Sequence, residues 1–441
     1  MVATADDTTV LPAAARRAFG FWMCLALVVG GMIGSGIFLL PAQLAPFGAT
    51  GIVAWFVGIA GALTLAWVLT RLAAAMPGAT GVVAICAAAL GPFPGALVGW
   101  SYWVGVWSAN AIIALTAVRY LAAFVPALAD TPFATALSAT VLIWLLTLLN
   151  LSGARAAGRF QVVTTALKLL PLVGVVVILA GLAFAGGGQF RASPHVGFQP
   201  GALTPALTLA FYALVGFEAA SVAAERVRDP ERNVVRATLA GLALTGLLYV
   251  IVCSGIIFAL PEAKAAQAPA PVALFVATFW GHGAGLAVAA FAAIATIGCL
   301  NGWVLVQGEV PLGMARAGLL PRWFGRTGAR DVPTGVLLLA SALASVLVMS
   351  NATRSAAGLL DFMLRLTAAA TLWLYVGACV SALVLGIARV AAVVGFFFGL
   401  WALWGSGLEA GGLSLLLMLT AVPLYLLRPS AAEPTEQAAV A

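Results

Sequence analysis

Long apolar segments separated by short polar loops run through almost the whole chain. A helix needs about 20 apolar residues to cross about 30 Å of hydrocarbon, and about twelve segments meet that need. The pattern therefore predicts an all-α integral membrane protein with about 12 transmembrane helices. A short apolar stretch at 80–90 is expected to lie along the membrane interface. Helices 1 to 12 are expected near residues 19–43, 50–76, 92–124, 133–150, 160–186, 202–225, 234–260, 280–308, 333–350, 356–386, 389–405 and 410–427.

Glycines interrupt helix 1 between Gly30 and Gly36, in the sequence GGMIGSG. Each glycine costs about 1 kcal/mol against alanine inside a helix. Broken backbone is tolerated in a membrane only where protein buries it or where it lines a watery cavity. The N–H groups that open the second half-helix can then bind an anion such as a carboxylate. Tight packing of a glycine-rich helix against its neighbours is the structural alternative.

A second interruption lies in helix 6, where Gly216 and Glu218 disturb an apolar run after the glycine-rich loop 186–201. Helix 6 follows helix 1 by five helices. Two interrupted helices in matching places favour a LeuT-type 5+5 inverted repeat with discontinuous helices 1 and 6 and a substrate bound between them. The predicted organisation is a cytoplasmic tail at 1–18, a first half at 19–186 with helices 1–5, a second half at 202–386 with helices 6–10, accessory helices 11–12 at 389–427 and a cytoplasmic tail at 428–441.

Composition excludes a soluble globular protein, because 63% of the 441 residues are hydrophobic and 8% are charged. The net charge of +7 comes from arginines in short loops and does not indicate a nucleic-acid partner. With the N-terminus in the cytoplasm, only Arg119, Arg191, Lys264 and Arg354 among the loop cations fall outside or near that face. This positive-inside pattern predicts a multi-pass protein of the cell inner (plasma) membrane with both termini cytoplasmic.

Two charged side chains, Lys168 and Glu218, lie well inside predicted helices 5 and 6. An ionisable residue in the hydrocarbon is a functional candidate, because its burial is costly. The alternatives are a lysine that snorkels to the surface and a glutamate that bonds a neighbouring helix. Asp361 and Arg365 are four residues apart in helix 10 and are expected to pair on one helix face, as a gate or as a structural contact, of which the structural contact is favoured. The cysteines, in apolar runs without metal-ligand spacing, are interpreted as packing residues, and no metal or cofactor is predicted.

The helix 1 sequence GSGIFLLP at 34–41 is similar to the GSG signature of the amino acid–polyamine–organocation (APC) superfamily of transporters. In helix 6 and the loop after it, GFEAAS at 216–221 and RDPERNV at 228–234 resemble the basic amino acid/polyamine antiporter branch. Gly302-Trp303 in helix 8 and Asn110 in helix 3 also fit this branch.

The resemblance implies an amino acid permease, a secondary active transporter that is not an enzyme. It implies exchange of an amino acid for its amine by alternating access, as in antiporters of the arginine/agmatine type. The implied partners are a small-molecule amino acid or amine, protons, the lipid bilayer and a second copy in a homodimer. A proton-coupled permease for neutral amino acids that uses Lys168 is the alternative, and a non-transport membrane protein is a further one.

The half-helix argument places a substrate carboxylate at the helix 1 break and its amino group at free carbonyls of helix 6. The resemblance adds an aromatic lid, a tryptophan for cation–π contact and polar residues of helices 3 and 10. The predicted substrate-binding residues are Gly31, Met32, Gly34, Ser35, Gly36, Asn110, Tyr212, Ala213, Val215, Trp303 and Thr367. The predicted gating or proton-coupling residues are Lys168, Tyr212, Glu218 and Tyr375.

Three residues indicate which substrate is carried and which ion is coupled to its transport. Gly31 and Tyr212 replace an asparagine and a tryptophan of the arginine/agmatine antiporters, which favours a substrate other than arginine. Lys168 resembles a lysine of other superfamily members whose ammonium fills the position of a coupling sodium ion. A desolvated lysine can exchange its proton, so Lys168 predicts proton coupling or plain exchange and argues against sodium coupling.

Overall fold

The computed structural model describes residues 20–76, 79, 81–152, 164, 167–188, 190, 196–218, 229–328, 331–350, 352 and 356–428. The predicted terminal tails, apart from Arg428, lie outside the described residues. The same is true of Arg191 and Arg354, of the start of predicted helix 5 and of the second part of predicted helix 6.

Every regular element in the described ranges is helical. The first part of the chain forms α1 Phe21–Met32, α2 Ser35–Leu44, α3 Ala49–Ala75, α4 Val82–Leu90, α5 Pro92–Leu121, α6 Pro132–Leu151 and α7 Leu170–Phe184. The second part forms α8 Leu203–Leu214, α9 Pro230–Tyr249, α10 Gly255–Ala259, α11 Glu262–Gln267, α12 Pro271–Trp280, α13 His282–Arg316, α14 Thr334–Ser350, α15 Ala356–Val384, α16 Arg389–Gly405, α17 Gly407–Leu419 and α18 Ala421–Leu426.

The helices are long and apolar enough for a multi-pass membrane protein. In the described part of the chain, seven helices meet the length and hydropathy of a span, or up to eight if α1 and α2 count as one bent span. Four shorter apolar helices, α7, α8, α14 and α16, fall where further spans are predicted.

The hydropathy pattern misplaces the end of predicted helix 8. That helix was expected at 280–308 with a polar segment after it, but α13 continues to Arg316. Glu309 is exposed, whereas Pro311 and Met314 are buried on the opposite face. The polar residues after residue 308 therefore belong to an amphipathic last part of the helix and do not mark its end. Before α13, the residues at 261–279 form the short helices α11 and α12, which the pattern leaves unassigned.

The two predicted breaks are real, and they touch. α1 and α2 meet at a 45° bend between Met32 and Ser35. α8 ends at Leu214, and the chain turns at Gly216 with φ of +110°. A Cβ on Gly216 would lie 2.9 Å from the carbonyl oxygen of Gly31. Glycine is therefore needed at this turn both for its φ and for the close approach of the two backbones.

Among the described residues, one type of tight helix–glycine–helix junction is found in both predicted halves. Gly91 joins α4 to α5 with φ/ψ of 98°/165°, and Gly281 joins α12 to α13 with 88°/166°. A Cβ on Gly95 or on Gly285 would lie 2.5 Å from the Cβ of the alanine four residues before its junction. The same local geometry therefore precedes both of the long helices α5 and α13.

Each interrupted helix packs on a helix of the other predicted half. α1 packs along α9, and α8 packs along α3. α5 is buried along most of its length and lies against α13 and α15. This arrangement leaves the two breaks facing one side of α5, where the candidate site lies.

Candidate functional site

A cavity lies where the two breaks meet α5, α13 and α15. It is a partly open cavity, and its empty space, counted together with the part that opens to solvent, is about 470 Å³. Ten residues of the predicted binding set line it: Gly31, Met32, Gly34, Ser35, Gly36, Tyr212, Ala213, Val215, Trp303 and Thr367. The sequence argument and the geometry therefore converge on one place, although the binding roles of these residues remain predictions.

Asn110 is the predicted binding residue that does not line this cavity. It is fully buried, and its Nδ2 donates to Gln307 Oε1 at 2.7 Å. Gln307 Nε2 in turn donates to Ser341 Oγ at 2.9 Å. The neighbouring Ala109 does line the cavity. Asn110 therefore points away from it and links α5 to α13 and α14.

Several lining residues were missed by the sequence argument. They are Tyr102, Gly105, Val106, Ala109 and Ile113 of α5, Cys299 of α13 and Thr371 of α15. A helical spacing of four or three residues relates the α5 members, which is the spacing of one helix face. Thr371 follows Thr367 by four residues, and Cys299 precedes Trp303 by four. The same spacing rule, applied to Thr367 and Trp303, would have found Thr371 and Cys299. Cys299, interpreted as a packing residue, is thus part of the cavity wall.

The start of α2 forms the wall that offers hydrogen-bond donors. The first N–H groups of a helix have no acceptor inside it, and they carry partial positive charge. Ser35 Oγ lies 2.8 Å from Tyr212 Oη, which joins this helix start to α8. A Cβ on Gly34 would lie 2.7 Å from Cys299 Sγ, and one on Gly36 would lie 2.6 Å from Ala213 Cβ. The glycines thus allow α8 and α13 to close around a helix start suited to a carboxylate.

Three hydroxyl groups of α5 and α15 form a second wall, which offers acceptors. Tyr102 donates its proton to Glu218 Oε1 at 3.0 Å. Thr367 donates to Ser108 Oγ at 3.0 Å, and Thr371 donates to the Thr367 carbonyl oxygen at 2.9 Å. Each hydroxyl has one proton and two lone pairs. With those protons committed elsewhere, the three oxygens can only accept hydrogen bonds from a ligand, which suits a cationic N–H group.

Glu218 lies behind this wall and is almost fully buried. Its Oε2 accepts from Tyr375 Oη at 2.8 Å and from the Gly216 N–H at 3.1 Å, while Oε1 accepts from Tyr102. An ionised carboxylate is an acceptor only, so all three bonds suit the charged form. Glu218 therefore ties α5 and α15 to the turn after α8. Tyr375 itself is buried behind the cavity and stacks on Phe217 at 5.1 Å between ring centroids.

Lys168 lies at the break of helix 1 and is also almost fully buried. Its Nζ donates to the carbonyl oxygen of Gly30 and, at 3.2 Å, to that of Ile33. The C-terminal end of a helix carries partial negative charge, so the ammonium is held by α1. The side chain therefore points into the protein and does not snorkel to the membrane surface.

The predicted pair of Asp361 and Arg365 is confirmed. Arg365 Nε and Nη2 donate to the two carboxylate oxygens at 2.8 and 2.9 Å. Arg365 Nη1 also donates to the Gly405 carbonyl oxygen at 2.9 Å. The pair joins α15 to the end of α16 and does not line the cavity, as expected for a structural contact.

Comparison with known proteins identifies the family. The chain matches the amino acid permease family over residues 19–432. It is similar to the cadaverine/lysine antiporter of Escherichia coli K12, with 30% identity over 78% of this chain and 77% of the relative. A putative arginine/ornithine antiporter of Bacillus subtilis 168 is 30% identical over 83% of both chains. The putrescine transporter PotE of E. coli K12 is 25% identical over 87% of this chain and 90% of the relative. The chain therefore belongs to the amino acid permease family, within the APC superfamily of multi-pass membrane transporters.

Proposed function

We propose that the protein is an antiporter that exchanges a basic amino acid for its decarboxylated amine. The observation that carries this proposal is the two-sided cavity, with donors at the start of α2 and acceptor-only hydroxyls at Tyr102, Thr367 and Thr371. An amino acid with a cationic side chain fits both walls, because its carboxylate accepts and its distal ammonium donates. The amine product fits the acceptor wall alone. Relatives named for lysine, ornithine, cadaverine and putrescine support this substrate class.

The lining of the cavity favours a cationic substrate over a neutral one. Trp303 lines the cavity, and a cation over an indole face gains about 0.5–2 kcal/mol. Glu218 lies one hydrogen bond behind the Tyr102 hydroxyl and polarises that oxygen toward a cation. A purely apolar side chain would leave the acceptors of this wall without donors, which is costly in a buried site.

The architecture proposed for this function has twelve spans and a 5+5 inverted repeat of the LeuT type. The four shorter helices α7, α8, α14 and α16 bring the spans to that number. The matched junctions at Gly91 and Gly281 support the repeat, as does the packing of α1 on α9 and α8 on α3. Both termini lie in the cytoplasm in this proposal, and the transporter is a homodimer in the inner membrane.

Alternating access then requires the elements around the cavity to separate on each side in turn. Glu218 holds α5, α15 and the turn after α8 together through three hydrogen bonds. Protonation of this carboxylate replaces an acceptor with a donor and breaks the pattern. Release of Glu218 is therefore the proposed gating step on this side of the cavity.

Proton coupling through Lys168 is the second candidate, and one observation favours it. The Lys168 ammonium is the donor for two carbonyl oxygens at the end of α1. A neutral lysine holds such oxygens less strongly than an ammonium, because charged donors form the stronger hydrogen bonds. Loss of the proton would therefore free α1 to move and couple a proton gradient to transport.

Uptake into proteoliposomes tests the proposal and separates the two candidates. Vesicles loaded with lysine, ornithine, cadaverine or putrescine and vesicles left empty would receive labelled lysine or ornithine at equal and unequal pH. Exchange predicts uptake only into loaded vesicles. Accumulation of substrate by empty vesicles with an alkaline lumen would refute obligatory exchange and support coupling through Lys168. Uptake of a neutral amino acid in place of lysine or ornithine would refute the substrate class.

A further inference from the structure

Three backbone carbonyl groups at the end of α1 accept hydrogen bonds from two side chains, one in the segment before α7 and one in α9. Lys168 donates to the oxygens of Gly30 and Ile33. Between them, the carbonyl oxygen of Met32 accepts from Tyr249 Oη at 2.6 Å. The last four carbonyl groups of a helix lack partners within it, so these bonds hold the broken end. One donor carries a charge that depends on a proton, and the other is a neutral hydroxyl.

Tyr249 is placed for this bond by the shape of its own helix. It is the last residue of α9, and a π turn at Val250–Ser254 follows it directly. π turns are rare and are frequent at functional sites. The side chain is fully buried, and its ring lies 5.5 Å from the ring of Trp55. The hydroxyl is therefore held in position by the burial of its ring and by the contact with Trp55.

α9 also holds α1 by close packing. A Cβ on Gly241 would lie 2.7 Å from Val28 Cγ1, so the Val28 side chain of α1 packs directly on the backbone of α9 at this point. Lys168, in contrast, reaches α1 as a single long side chain from the segment before α7. The link from α9 therefore persists whether or not Lys168 carries its proton.

We propose that Tyr249 is a positioning residue for transport: its hydroxyl holds the end of α1 in line with α2, so that the N–H groups at Ser35 and Gly36 keep their direction toward the cavity. Only Ile33 and Gly34 separate the Met32 carbonyl from the start of α2. A shift of the held carbonyl is therefore passed directly to the wall that receives the carboxylate. This inference rests on the proposed function, because it concerns the same site.

Tyr249→Phe tests the role and keeps the packing of the ring. Tyr120→Phe is the matched control, because Tyr120 is also fully buried and donates at 2.8 Å to a helix 1 carbonyl, that of Phe38 within α2. In exchange assays, Tyr249→Phe should raise KM for lysine about tenfold, equivalent to about 1.4 kcal/mol. KM for cadaverine, which has no carboxylate, should change less than about twofold on the same scale. Tyr120→Phe should leave the ratio of the two KM values unchanged.

Hydrogen–deuterium exchange on the same proteins in nanodiscs provides a readout that does not depend on transport. Tyr249→Phe should speed exchange at residues 33–36 relative to the wild type, and Tyr120→Phe should not. An equal rise of both KM values, or unchanged exchange at 33–36, would overturn the positioning role. If the wild type transports neither lysine nor cadaverine, the proposed function fails, whereas the hydrogen–deuterium exchange result still decides the role of Tyr249.

Discussion

The two backbone breaks are stabilised by side chains of opposite character. At the first, carbonyl oxygens of α1 accept hydrogen bonds from Lys168 and Tyr249. At the second, the Gly216 N–H and two phenols donate to Glu218. The first break thus uses a cation to satisfy acceptors, and the second uses an anion to satisfy a donor. The comparison shows that each intramembrane charge, costly alone, is partnered by backbone groups that a continuous helix would not expose.

The largest expected effect follows from removing the contact between the breaks. Gly216→Ala adds a methyl group 2.9 Å from the Gly31 carbonyl oxygen at a φ of +110°. Strain of this kind costs about 1–3 kcal/mol before the clash is counted. We expect a lower unfolding temperature and exchange activity reduced by more than about 100-fold. Gly201→Ala, at a position with no heavy atom within 4 Å, is the control and should behave as wild type in both assays.

Removing the cation from the first break should have the next largest effect. Lys168→Met keeps the length of the side chain but leaves the Gly30 and Ile33 oxygens without this donor. Each buried unsatisfied group costs about 1–3 kcal/mol, so exchange should fall about 100-fold. Lys264→Met, on the exposed surface of α11, controls for the loss of a charge. Lysine exchange near the wild-type rate in Lys168→Met would contradict the role assigned to this ammonium.

Neutralising the second break should cost less, because an amide can keep part of the pattern. Glu218→Gln retains one oxygen acceptor and replaces the other with a donor, so the bond from Tyr375 or from Tyr102 must reverse or break. We expect about a tenfold lower exchange rate. Glu309→Gln, on the exposed face of α13, is the control. An unchanged rate would exclude Glu218 from gating.

The smallest effect should separate the two phenols that bond Glu218. Tyr102 lines the cavity, whereas Tyr375 does not. Tyr102→Phe should therefore raise KM for cadaverine about threefold, since an acceptor for the distal ammonium is lost. Tyr375→Phe should lower the rate without a change in KM. The two variants would be compared in the same vesicle preparation, and equal KM values would remove Tyr102 from the acceptor wall.

The breaks could be predicted because their cause is local. Glycines at 30–36 and a glycine beside a glutamate at 216–218 disfavour a continuous helix whatever surrounds them. The direction of Asn110 could not be predicted in this way. α5 is buried on nearly every face, so hydropathy does not show which buried face meets the cavity and which meets Gln307.

The end of α13 and the acceptor wall also depended on tertiary contacts. The charged residues at 309–316 lower the average hydropathy of this segment and suggest a loop, although they lie on only one face of the helix. Thr367 and Thr371 can accept hydrogen bonds from a ligand because they donate their own protons to Ser108 Oγ and to the Thr367 carbonyl oxygen. The sequence alone does not show these two contacts. The membrane orientation of the chain stays a prediction from its arginines.

The burial of α5 has a consequence for how the protein is made. This helix carries Trp100, Ser101, Ser108, Asn110 and Thr116 into the interior, and its main neighbours are α13 and α15. Translation at about 5–20 residues per second means roughly 10 to 40 s between the end of α5 and the end of α13. During that interval its polar groups have no native partner from the second half. We therefore expect insertion of the chain to require that this one helix is sheltered from lipid until the later helices are made.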